Sequence, residues 1–95
     1  MIKYLVDGKE IPNGINFGIV EKTKIGRITV ELVNEYLDKV ELMDEYTVDP
    51  DVYIVEYTKK IAFKGTGHAI LEFRPTKTRL ESLKNKKFGF KVLIG

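Results

Sequence analysis

The chain has no cysteine and no tryptophan, one histidine, one serine and three prolines. Without cysteine there is no disulfide framework and no thiolate chemistry, so stability must come from packing, and the composition fits a reducing interior. Ser82 lies in a lysine-rich stretch with no glycine elbow, which removes the usual serine nucleophile. His68 has no cysteine or second histidine at ligand spacing, so neither a metal nor a cofactor is expected, and it reads as a solvent-facing residue. No apolar run approaches the roughly 18 residues that cross a bilayer. The opening Met1-Ile2-Lys3-Tyr4-Leu5-Val6-Asp7 turns polar too early for a secretory signal. These absences lead to the expectation of a chain made in the cytoplasm, with no membrane and no small-molecule substrate.

What is present is ordinary for a globular domain: 95 residues, 43% hydrophobic and 32% charged, net charge +2. One domain is expected over 1–95, with an N-terminal hairpin over 1–12 and a sandwich over 15–94. Charge is unevenly distributed. Asp38, Glu41, Asp44, Glu45, Asp49 and Asp51 crowd one segment, and Arg74, Lys77, Arg79, Lys84, Lys86, Lys87 and Lys91 another. The plain reading is solvated faces. The sharper one is a molecule with an acidic end and a basic end that orient it against a neighbour. Nucleic acid suits segment 74–91 but is repelled by the acidic half.

Period-2 alternation dominates the chain. Arg27 to Asn34 sets Ile28, Val30 and Leu32 on one side and Arg27, Thr29 and Glu31 on the other, the pattern of a half-buried strand. Ala69, Leu71 and Phe73 form a second inward set, Phe88, Phe90, Val92 and Ile94 a third, and Ile15, Phe17 and Ile19 a fourth. Asp7-Gly8 is a strong hairpin turn signal after Ile2 to Val6, with Lys9 to Pro12 returning beside it. Further turns are expected at Asn13-Gly14, over Lys24 to Gly26 and at Asp49-Pro50-Asp51. Val52 to Val55 is a strand by composition. Thr78-Arg79-Leu80-Glu81 has the form of a capping box for one helical turn.

Residues 34–46 admit two structures: a loop at Glu35 to Lys39 followed by a strand Val40 to Met43, or a helix from about Val30 to Met43 in an α+β domain. The acidic alternation favours loop plus strand. With it the count is about seven strands, and the fold class is all-β, a single antiparallel sandwich.

Gly65-Thr66-Gly67 lacks the following lysine and helix of a phosphate loop and reads as a hairpin turn. Asp49 with Asp51 and Asp44 with Glu45 lack the ordered oxygen spacing of a calcium loop and read as loop charges. Tyrosine joins an apolar face to a polar tip and is enriched at binding hot spots. Tyr4 and Tyr53 read as core; Tyr36, Tyr46 and Tyr57 are candidate partner contacts, Tyr36 foremost because Glu35 and Asp38 flank it. Lys84, Lys86 and Lys87 complete the candidate partner-binding set.

Three elements, Asn16-Phe17-Gly18-Ile19-Val20, Thr29-Val30-Glu31-Leu32-Val33-Asn34 and Ala69-Ile70-Leu71-Glu72-Phe73-Arg74-Pro75, stand in an order and spacing that resembles the Ig-like ASPM–SPD-2–Hydin and major-sperm-protein-like domains. The resemblance implies an Ig-like β-sandwich with no enzymatic activity, acting as a scaffolding or protein-binding module. Free-standing, cysteine-free chains of this type also look like accessory or decoration subunits of phage particles. That implies a repeating protein lattice, or copies of the chain itself, as partner, and the virion as final location. The remaining alternatives are a nucleic-acid-binding domain using segment 74–91 and a cellular scaffolding module.

Overall fold

The computed structural model describes residues 1–11, 13–14, 17–20, 26–48, 50–74 and 86–95, with the backbone alone at 13–14, 17–20 and 86. Among these residues there is no helix. The strands are β1 (Ile2–Val6), β2 (Lys9–Glu10), β3 (Asn13–Gly14), β4 (Phe17–Val20), β5 (Gly26–Asn34), β6 (Val40–Thr47), β7 (Val52–Tyr57), β8 (Lys60–Ile61), β9 (Thr66–Phe73) and β10 (Lys86–Ile94). They form two antiparallel five-stranded sheets, β2-β1-β5-β9-β7 and β3-β4-β10-β6-β8, packed as a sandwich. Seven strands have four residues or more, the number expected; the other three are two-residue edges.

Alternation sets the faces. In β5, Val30 and Leu32 are buried and Ile28 partly so; in β9, Ala69, Leu71 and Phe73 are buried. The β5–β9 ladder runs over eight pairs, from Gly26 opposite Phe73 to Val33 opposite Thr66. Val40 and Leu42 of β6 and Phe88 and Phe90 of β10 supply the facing half of the core. Tyr4, fully buried on β1, meets Phe88 edge-on at 5.2 Å, and Phe90 meets Tyr57 at 4.9 Å, so aromatic pairs tie the two sheets together. Such pairs add about 1 kcal/mol each beyond the area they bury.

The Asp7-Gly8 hairpin forms as expected. Both residues have positive φ, 51° and 78°, the geometry that matches the twist of a two-residue hairpin and that glycine adopts without a Cβ penalty. Residues 35–39 are irregular and β6 follows, so the chain takes the loop-plus-strand alternative and not the helix over Val30 to Met43. Most of the turn over 24–26, Ile15, Asp49, the capping box at Thr78 to Glu81 and Lys84 lie outside the described residues.

Two expectations are corrected. The turn assigned to Gly65-Thr66-Gly67 sits earlier: the Gly65 N–H closes it on the Ala62 carbonyl at 2.8 Å, and Thr66 already begins β9. Gly67 is instead a close-approach site, where a Cβ would fall 2.8 Å from the Cβ of Thr58. Ile94 is half exposed although it continues the phase of Phe88 and Phe90, because it is the last residue of β10, beside exposed Gly95. Finally, β6 carries Glu41, Asp44 and Glu45 directly beside β10, where Leu93 stands opposite Glu41 and Lys91 opposite Met43. Among the described residues Lys91 of the basic segment thus stands in the same sheet as Glu41, Asp44 and Glu45, while Lys77, Arg79 and Lys84 lie outside them.

A candidate docking edge between β6 and β7

Consecutive strands β6 and β7 belong to different sheets, and Pro50 and Asp51 form a turn just before β7. On this side of the sandwich, Thr47 Oγ1 donates to the Val52 carbonyl at 2.9 Å, Tyr57 Oη donates to Glu45 Oε2 at 3.1 Å, and the Leu42 N–H donates to the Lys59 carbonyl at 2.6 Å. A shallow groove of about 220 Å³ lies between the strands, with Tyr46 and Tyr53 on its walls.

Both strands are bulged here. On β6, Met43 pairs with Lys91 and Tyr46 with Gly89, so Asp44 and Glu45 together oppose Phe90; Asp44 takes φ 48°, a left-handed conformation that aspartate tolerates better than most residues. On β7, Ile54 pairs with Leu71 and Glu56 with Ile70, which leaves Val55 as the extra residue. A bulge interrupts the in–out alternation. Asp44, Glu45 and Tyr46 are exposed in succession, and so are Val55 and Glu56. Four large apolar side chains stand exposed within ten residues of chain: Tyr46 at 43%, Val48 at 62%, Tyr53 at 44% and Val55 at 43%.

The expected contact residues divide. Tyr46 is exposed on β6, beside the groove. Tyr57 is half buried, its ring on Phe90 and its hydroxyl on Glu45; burial first, then that hydrogen bond and the carboxylates of Glu45 and Asp44, hold its pKa above the ordinary tyrosine value. Tyr36 is not the exposed anchor that its acidic neighbours suggested. Its N–H donates to Asn34 Oδ1 at 2.9 Å, and this turn lays the side chain against the core. Lys87 is exposed, and its carbonyl accepts from the Val48 N–H at 3.0 Å, which places it at the border of the apolar patch; Lys86 is in β10.

Sequence reasoning missed Tyr53, which was assigned to the core. It points outward, with the Arg74 guanidinium 4.7 Å above its ring, and Arg74 in turn pairs with Glu72, which also binds Arg27 at 3.1 Å. The signal was there: Val52 and Ile54 are one phase of β7, and Tyr53 is the other. His68 is half exposed as expected, but tethered. Its N–H donates to Thr58 Oγ1 at 3.0 Å while the Thr58 N–H donates to its carbonyl at 2.9 Å, so a hydroxyl extends the β7–β9 ladder by one rung. Glu56 lies 3.6 Å from the other side of the ring. Among the described residues no group of three or more histidines or carboxylates is placed to hold a metal ion, and no helix is long and apolar enough to cross a membrane.

The opposite pole has a larger groove, about 660 Å³, between 38–41, 60–63 and Gly95, and its lining carries Asp38 and Glu41 together with Lys39 and Lys60. This pole is cross-linked by buried Asn34, whose Nδ2 donates to the carbonyls of Asp38 at 2.8 Å and Ala62 at 3.1 Å. No family model, no curated protein and no solved structure matches the chain.

Proposed function

We propose that this chain is a non-enzymatic structural or protein-binding subunit of a larger assembly, joined to its partner through β7 and the tyrosines beside it. One observation carries the reading. Among the described residues four strands terminate the two sheets; β2, β3 and β8 have two residues each, whereas β7 has six. Short edges are a common protection against edge-to-edge pairing, and a long edge flanked by exposed apolar side chains is a template for another strand. Tyr46, Tyr53 and Val55 give that edge the amphipathic contact residues that binding hot spots favour.

The narrower form of the proposal, an accessory protein seated on a repeating protein lattice such as a phage particle, rests on the resemblance to Ig-like modules. The test is the mass of the native complex, with and without nuclease. A nuclease-resistant protein assembly supports the proposal; a lone 10.9 kDa monomer or a nuclease-sensitive complex contradicts it.

A further inference from the structure

Resting on that reading, we propose that the β7 edge receives an extended peptide segment, basic at one end and apolar at the other, as an added strand. The surface is graded along its length. At the Tyr57 end stand the exposed carboxylates of Asp44 and Glu45 of β6 and Glu56 of β7, with Glu45 accepting from Tyr57 Oη and reaching the groove, and Glu56 3.6 Å from His68 Nε2. At the Val52 end the exposed groups are Tyr46, Val48 and Tyr53, with Arg74 already held by Glu72 and Lys87 at the margin.

Main-chain hydrogen bonds to a sheet edge are indifferent to sequence, so selectivity must come from the side chains that flank it. Here they ask for lysine or arginine opposite Glu45 and Glu56, and for a large apolar residue in the groove between Tyr46 and Tyr53. The bulge at Val55 separates the two halves, so each half engages two or three residues of the incoming strand and the segment is short. A second copy of this chain is the competing occupant: antiparallel pairing of β7 with β7 about a two-fold axis sets the Tyr57 end of each copy beside the Val52 end of the other, and the test below separates the two.

The experiment titrates the uniformly ¹⁵N-labelled full chain with two capped hexapeptides, Lys-Thr-Lys-Val-Thr-Val and Glu-Thr-Glu-Val-Thr-Val, at low and high salt. The expected result is binding of the lysine peptide about tenfold tighter than the glutamate peptide. The preference should shrink as salt is raised, and the largest amide shifts should fall on 52–57. Equal affinities, no binding of either peptide, or shifts centred elsewhere overturn the inference. So does concentration-dependent dimerisation of the free chain through 52–57, which makes a second copy the occupant. Because both peptides probe the unaltered protein, the result does not depend on a variant folding. A parallel arm separates this inference from the docking reading: the V55K chain, checked for fold by circular dichroism, is tested for its native complex. Loss of that complex with equal peptide affinities leaves docking standing and removes the cationic strand. Survival of the complex removes docking through β7 and the inference with it.

Discussion

The two ends of the sandwich handle exposed backbone in opposite ways. Around β8 the edge is two residues long, and one side chain, Asn34, ties β5, the loop over 35–39 and the Ile61–Ala62 segment into a hydrogen-bonded knot. Along β7 the edge is six residues long, and neighbouring strands turn side chains outward through bulges. A buried amide that satisfies three backbone groups gives rigidity, because each group left alone costs about 1–3 kcal/mol. An open edge with apolar flanks contributes little to folding and leaves its binding capacity for something else. The contrast teaches that in this fold the stabilising polar residue and the recognition surface are kept apart.

That separation is sharpest in the variant expected to cost most. Asn34→Ala orphans the Asp38 and Ala62 carbonyls and the Tyr36 N–H at once, and should lower unfolding free energy by about 3 kcal/mol. Urea denaturation checks this, and peptide binding at β7 should persist below the transition. Next comes Gly67→Ala. Its new methyl would meet Thr58 Cβ at 2.8 Å and Ile61 Cδ1 at 3.1 Å, so strand β9 or its neighbours must shift, at about 2 kcal/mol by thermal or chemical melting.

Tyr4→Phe should move in the other direction. The Tyr4 hydroxyl is buried with no hydrogen-bond partner among the described residues, and burial, reinforced by Tyr46 and Tyr36, keeps its pKa far above the ordinary value. Removing the oxygen while retaining the ring on Phe88 should leave stability unchanged or raise it by about 1 kcal/mol. A clear loss would show that the hydroxyl is bonded in solution.

The smallest effect concerns Glu72. Hydrogen bonds from Arg74 and then Arg27 lower its pKa below the ordinary 4.5. A depressed carboxylate contributes stability that is fully present above the unfolded value and is lost as pH falls through the folded one. Glu72→Gln should therefore flatten the acid limb of the stability profile below about pH 5 and leave neutral pH nearly unchanged. A melting series across pH 3 to 7 would show it.

Much of the fold was legible because its signals are local. The alternation of Ile28, Val30 and Leu32 and of Ala69, Leu71 and Phe73 depends on strand geometry alone, and Asp7-Gly8 encodes its turn in two residues. What escaped depends on partners distant in sequence. The bulges at Asp44–Glu45 and Val55 are set by β10 and β9, so nothing within 44–46 announces three exposed residues in a row. The role of Asn34 depends on Ala62, which is 28 residues away. Of the candidate contact residues, Tyr46 and Lys87 fall at one surface, whereas Tyr36 turns to the core; Tyr53 was missed because its residue type outweighed its phase.

Hydrogen exchange of the chain, free and within its native complex, tests the central claim most directly. If β7 is the docking edge, amides of 52–57 will exchange far more slowly in the complex, while those around Asn34, Ile61 and Ala62, already protected by the knot, will change little. Unchanged exchange across 52–57 in a complex that protects another surface would contradict the account.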